Sequence, residues 1–131
     1  MLTLGFETSC DETSVSVTDG MKVLSNIVTS SIHLHKKYGG IVPEIASRYH
    51  VEYITEVLDK ALLESRKTLD DIRLVAVTNG PGLVGALLIG LSMAKSISYS
   101  KRIPIIGVNH IIAHLHSAFL NDGEKPGFPF I

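Results

Sequence analysis

The chain opens on a short apolar run, residues 2–6, dense enough to read as a buried strand. A polar stretch from Glu7 to Thr13 follows. Val15 and Val17 then alternate with Ser14, Ser16 and Thr18, the period-two pattern of a strand with one face in a core. Asp19-Gly20 is a hairpin signal, so residues 23–29 are expected to return antiparallel. Residues 33–40 lack periodicity and pivot on Gly39-Gly40, so they are expected to be irregular. Pro43 suits the first turn of a helix and Glu44 complements its positive end. Ile54, Val57, Leu58, Ala61 and Leu62 recur at helical spacing and carry that helix to about residue 65.

The second half alternates strand and helix. Residues 74–77 read as a strand, and Asn79-Gly80-Pro81-Gly82 as a tight turn. Residues 83–97 form a helix that is apolar on nearly every side, so it is expected to be buried, with Gly85 and Gly90 admitting another backbone. Residues 104–108 are a further strand, and Asn109 is placed to cap a last helix running to about residue 120. The order β-β-β-α-β-α-β-α predicts an α/β fold, with a mixed sheet covered by helices. It resembles the ribonuclease-H-like lobe of actin, Hsp70 chaperones and sugar kinases, where two such lobes enclose a nucleotide. The closing Gly-Phe-Pro-Phe-Ile, residues 127–131, reads as a strand just starting, which in this topology would open a second lobe. Residues 1–131 are therefore expected to be a single N-terminal lobe, with the second lobe absent from the chain.

Bulk properties narrow the function classes. At 131 residues, with 45% hydrophobic and 19% charged residues, the chain can bury one core and is not disordered in composition. Its net charge of -1 gives no chain-wide attraction to nucleic acid, leaving only small basic pairs such as Arg66-Lys67 and Lys101-Arg102. The single cysteine, Cys10, excludes an internal disulfide and suggests a reducing compartment. No leader-like or membrane-spanning run is present, so a cytoplasmic protein without a membrane partner is expected.

Three places could carry chemistry. His110 and His114 stand four apart on the last predicted helix, within about 40° of each other around the axis, so both rings project from one face and could share an ion. His116 lies about 160° from His114 and cannot join them. Two histidines leave a metal under-coordinated, and the same spacing also occurs on ordinary helix surfaces. Position 111 is isoleucine where a thermolysin-like protease carries its glutamate base, so that mechanism is not available. The second place is the acidic loop after the first strand, Glu7 to Thr13, where the carboxylates of Glu7, Asp11 and Glu12 with the hydroxyl and thiol groups of Thr8, Ser9, Cys10 and Thr13 could order a cation or water; such residues are also common in plain hairpin loops. Third, Gly80 and Gly82 precede a helix and could present amides to an anion, although a close-packed turn explains them as well. His50 is placed most simply on the exposed face of its helix, and His33 and His35 in a loop without a further ligand.

Taken in order, the segments from Glu7 to Ser14, His35 to Gly40, Val42 to His50, Gly80 to Gly85, and His110-x3-His114 closely resemble the TsaD family, along essentially the whole chain. The Tyr-Gly-Gly and Val-Pro-Glu segments look like its bacterial or organellar branch. The resemblance implies a transferase that moves threonylcarbamoyl from threonylcarbamoyl-AMP to N6 of adenosine 37 in tRNA. It implies iron or zinc held by His110, His114 and an aspartate from a second lobe. It also implies an active-site position for Asp11 and Glu12, with Ser9, Cys10, Gly80 and Gly82 toward the substrate cleft. A TsaB-like paralogue and a TsaE-like ATPase are the implied partners. Family enzymes are roughly twice as long, so this chain alone is expected to be inactive and to hold metal weakly or not at all. Two rivals are a TsaB-like scaffold, which would lack the histidine pair, and the metalloendopeptidase of the family's older name. The apolar helix and uncovered face also raise the expectation that isolated lobes pair with each other.

Overall fold

The computed structural model describes residues 1–117 and 119–120. Three strands, β1 (Leu2–Glu7), β2 (Glu12–Asp19) and β3 (Lys22–Ser30), form the expected antiparallel meander. The reversal sits one residue later than the sequence signal suggests. Asp19 pairs with Lys22, and Gly20 is the first loop residue at φ 59°, a left-handed conformation that glycine adopts without a Cβ penalty. After a short helix α1 (Ile32–His35) and a 3-10 turn at Lys36–Tyr38, helix α2 runs over Pro43–Ser65. Then come β4 (Leu74–Gly80), α3 (Val84–Lys101), β5 (Ile105–Asn109) and α4 (His110–Ser117). The strand expected at residues 127–131 lies outside the described residues.

The sheet order is β3-β2-β1-β4-β5, with β4 parallel to β1 and β5 parallel to β4. Two parallel crossovers through α2 and α3 thus extend an antiparallel meander, as the element order predicts. Residues 33–40 are not wholly irregular. Ser31 hydrogen-bonds the ring of His35 (2.9 Å) and the backbone of Asp11, and that buried anchor sets a helical turn no periodic pattern announces.

Strand alternation decides which sheet face is covered. Leu4 and Phe6 of β1, Val15 and Val17 of β2, and Val75 and Val77 of β4 are buried in one cluster with Ile54, Val57, Leu58 and Ala61 of α2 and Ala94 and Ile97 of α3. The other face carries Thr3, Gly5, Ser14, Ser16, Thr18 and Ala76, small or polar side chains that line an open cleft. Helix α3 departs from expectation. Only Ala86, Gly90, Ala94 and Ile97 are buried, while Val84 and Leu88 are 73% and 52% exposed, because the sheet and α2 cover only part of the helix surface.

The close approaches expected at α3 are present. A Cβ on Gly85 would meet Ser47 Oγ at 2.6 Å, and one on Gly90 would meet Thr8 Oγ1 at 2.5 Å. Thr8 is buried and β-branched, and its hydroxyl donates to Ala86 O (2.8 Å) while accepting from Gly90 N, so it has no room to turn aside. Gly90→Ala is therefore expected to destabilise the chain by about 1–3 kcal/mol, read as a lowered urea midpoint at unchanged slope.

Candidate functional site

The cleft has a volume of about 770 Å³ and is walled by the open sheet face, the loop after β1 and helix α4. Parallel pairing of β1, β4 and β5 brings their carboxyl ends to one edge, so the loop after β1 and the start of α4 meet there although about a hundred residues separate them. Glu7, Ser9, Cys10, Asp11, Glu12, His110 and His114 all line this cleft.

Helix α4 starts immediately after β5. Asn109 Oδ1 accepts from the amides of Ile111 (3.0 Å) and Ile112 (3.1 Å), the capping role its position predicts. The cap fixes the first turn, and with it the ring of His110. His110 Nδ1 lies 3.1 Å from Glu7 Oε2 and 3.1 Å from Ser9 Oγ. On its other side, His110 Nε2 faces His114 Nε2 at 3.0 Å, with the two rings edge-to-face. His116 is not part of this contact; its ring stands edge-on to Phe119.

Convergence of two imidazole nitrogens is what a cation requires. Two nitrogens in a tetrahedral zinc shell, each about 2.05 Å from the ion, stand about 3.3 Å apart, close to the separation here. The donor set therefore fits a borderline-soft divalent ion. Among the described residues, no third His, Cys, Asp or Glu joins the pair in a metal-holding group.

The acidic loop is pinned from beneath. Thr8 anchors it to α3, and Leu83 N donates to Ser9 O (2.8 Å). His50 is a correction to the sequence reading: it is 0% exposed rather than on the outer face of α2. Its Nε2 donates to Cys10 O (3.0 Å), which leaves Nδ1 to accept from Thr13 Oγ1 (2.7 Å). Burial holds the His50 pKa below its ordinary value, although the Cys10 carbonyl and the charges of Glu7 and Asp11 pull the other way. Ser31 holds the next carbonyl, Asp11 O, through its amide (2.9 Å) and hydroxyl (3.0 Å). Ser30 Oγ donates to Asp11 Oδ2 at 3.2 Å, and Glu12 is exposed at the start of β2.

Cys10 is not an activated thiol. Burial, and then the neighbouring Asp11 carboxylate, push its pKa up. Gly80 and Gly82 lie beside the cleft and do not line it. A Cβ on Gly82 would meet Ser9 O at 2.6 Å, and the Leu83 amide is already spent on that oxygen, so the turn braces the loop by close packing.

Sequence reasoning placed Glu7 among the loop carboxylates without a role. In the structure it joins four elements: Oε1 accepts from Ser9 N, and Oε2 accepts from Thr78 Oγ1 and contacts His110. Burial pushes its pKa up, but the hydrogen bonds from Ser9, Thr78 and His110 outweigh that, and the carboxyl ends below its ordinary value.

A ribonuclease-H-like lobe with a histidine pair and a carboxylate loop at the carboxyl edge of its sheet is the class of protein these features define. Solved structures agree on the fold. YeaZ from Pseudomonas aeruginosa matches with a TM-score of 0.61 at 16% identity, covering 83% of this chain and 45% of that one. Thermus thermophilus RuvC, solved with a Holliday junction substrate, matches at 0.56 and 14% identity, covering 98% of this chain and 84% of its own. The chain belongs to the family of TsaD, tRNA N6-adenosine threonylcarbamoyltransferase, whose model matches residues 22–131. A relative of that name from Thermodesulfovibrio yellowstonii is 55% identical over 131 residues, and one from Dictyoglomus turgidum is 52% identical over 132. Both alignments take in the whole of this chain but only 39% of the relative, so the chain spans about two-fifths of their length.

Proposed function

We propose that this chain is the N-terminal lobe of a two-lobed transferase that moves a threonylcarbamoyl group from threonylcarbamoyl-AMP to N6 of an adenosine in tRNA. In this reading His110 and His114 hold one divalent ion, iron or zinc, whose third ligand is an aspartate in a second lobe outside the chain. The observation that carries it is the pair of Nε2 atoms 3.0 Å apart on the cleft wall, in a chain whose relatives bear the transferase name.

When bound, the ion would polarise the acyl carbonyl and hold the adenylate. The chain's own residues do the rest. The adenosine amine forms its bond to the acyl carbon, the bond from that carbon to the adenylate oxygen breaks, and a proton leaves the amine. Asp11 and Glu12, on the cleft wall, are the carboxylates we assign to receive it. Ser9 and Cys10 offer polar contacts to substrate in the same loop. Asp11 and Glu12 repel phosphate unless a cation intervenes, and an ion held by His110 and His114 would offset that repulsion.

The partners proposed are a TsaB-like paralogue and a TsaE-like ATPase in the cytoplasm. No helix among the described residues is long and apolar enough to cross a membrane. Val84 and Leu88 give α3 an exposed apolar stripe on which the paralogue would pack, and a second copy of the isolated lobe would compete for it. The scaffold reading lacks a use for the converging histidines, and the protease reading lacks the helix-borne glutamate that serves as base, since Ile111 occupies its position.

The test compares this chain with a polypeptide of its relatives' length that begins with it. The longer protein, with its partners, is expected to attach threonylcarbamoyl to tRNA and to carry about one iron or zinc by elemental analysis. The 131-residue chain is expected to do neither. Tightly held stoichiometric metal in the short chain would refute the two-lobe ligand set. Failure of the long protein to modify tRNA would refute the activity.

A further inference from the structure

We propose that Glu7 is the positioning residue of the histidine pair: it fixes the His110 ring with the proton on Nδ1 and the Nε2 lone pair turned toward His114. The inference rests on the metal-site reading above, and it concerns a residue outside the ligand set.

A carboxylate oxygen can only accept, so the 3.1 Å contact between Glu7 Oε2 and His110 Nδ1 requires the hydrogen on Nδ1. Ser9 Oγ, 3.1 Å from the same nitrogen, can accept a share of that hydrogen but could equally donate, so Ser9 alone does not select a tautomer. With Nδ1 protonated, the neutral ring has its only lone pair on Nε2, the atom that faces His114 Nε2. A ring with the opposite tautomer would turn an N–H toward its partner and block a shared ion. The bond made by one ring nitrogen thus sets the ligand character of the other.

Glu7 is built for this task. It ends β1, and the parallel register that pairs Phe6 with Val77 sets it beside Thr78 of β4. Thr78 donates to Oε2, and the Ser9 amide donates to Oε1, so both oxygens are oriented by groups other than His110. The carboxylate is not itself a third ligand. It touches the Nδ1 side of the ring, whereas the converging lone pairs lie on the Nε2 side.

The experiment uses the 131-residue chain labelled with nitrogen-15. Long-range proton–nitrogen spectra report which nitrogen of His110 is protonated, and zinc titrated into the same samples reports affinity through the His110 and His114 signals. The unaltered chain is expected to show Nδ1 protonated. Glu7→Ala is expected to move the proton to Nε2 and to weaken zinc binding roughly 10–100-fold, the range typical of lost outer partners. Glu7→Gln keeps an acceptor oxygen and serves where the alanine variant fails to fold; its amide can orient either way, so a mixture of tautomers is expected. His110 still protonated on Nδ1 in both variants would overturn the proposal. A tautomer change produced by Ser9→Ala, and not by either Glu7 variant, would overturn it in favour of Ser9. If the tautomer shifts and zinc affinity does not, Glu7 is the clamp and the metal reading of His110 fails.

Discussion

Replacing His50 by leucine is expected to destabilise the chain by about 2–4 kcal/mol, among the largest losses any single substitution here should cause. The side chain is 0% exposed, so leucine keeps the volume and the apolar contacts of α2. What it removes is both polar partners. The buried Thr13 hydroxyl loses its 2.7 Å acceptor and the part-buried Cys10 carbonyl its 3.0 Å donor. Each orphaned group costs about 1–3 kcal/mol. His50→Gln restores a donor near Cys10 O and His50→Asn restores a group near Thr13, so each should recover part of the loss.

The same residue predicts a pH dependence. The His50 pKa is lowered in the folded state, so below its ordinary value near 6.5 the unfolded chain takes up a proton the folded chain refuses. Stability is therefore fully present above pH 6.5 and declines as pH falls through the folded value. Glu7 and Asp11 face the ring and oppose this, so the decline should be partial. Urea unfolding at several pH values would show it in the parent chain and not in His50→Leu. An equal acid slope in both would assign the loss to other groups.

His50 also marks where reading the sequence stopped short. The apolar stripe Ile54, Val57, Leu58 and Ala61 of α2 is legible from its helical spacing and is buried as that spacing predicts. Ala46 and His50 stand eight and four residues before Ile54 on that same stripe, so periodicity alone would have put the histidine inside. A polar side chain is counted with the surface unless a partner is known, and its partners, Thr13 and Cys10, are 37 and 40 residues away. Legibility elsewhere followed the range of the interaction. The alternation of Ser14, Ser16 and Thr18 with Val15 and Val17 named the open face correctly, because period two is a local property of the backbone. The Asn109 cap was legible because its bonds reach two and three residues along the chain. Glu7 and His110 meet across 103 residues through two strand pairings, so no local pattern could join them. Helix α3 misled in the opposite sense: its composition demands cover on every side, and among the described residues only the sheet and α2 supply it.

In a protein of the relatives' length, His114→Ala is expected to lower threonylcarbamoyl transfer about 1000-fold while leaving the fold in place. His114 is exposed, and among the described residues its ring is hydrogen-bonded and stacked edge-to-face only with His110, so its loss strands no described buried partner. Surface changes of that kind stay within about 0.5 kcal/mol of stability. Chemistry is another matter. Stabilising charge on a carbonyl oxygen with a metal contributes several kcal/mol, and about 4 kcal/mol corresponds to about 1000-fold at 1.36 kcal/mol per factor of ten. Glu7→Gln should cost less, because under the proposed ligand set it disturbs the orientation of one ligand and removes none. His114→Cys, which retains a zinc ligand, should recover part of the rate. Incorporation of labelled threonine into tRNA measures all three, with elemental analysis run alongside. Transfer within tenfold of the parent in His114→Ala, with metal content unchanged, would mean that α4 carries its histidines for some other purpose.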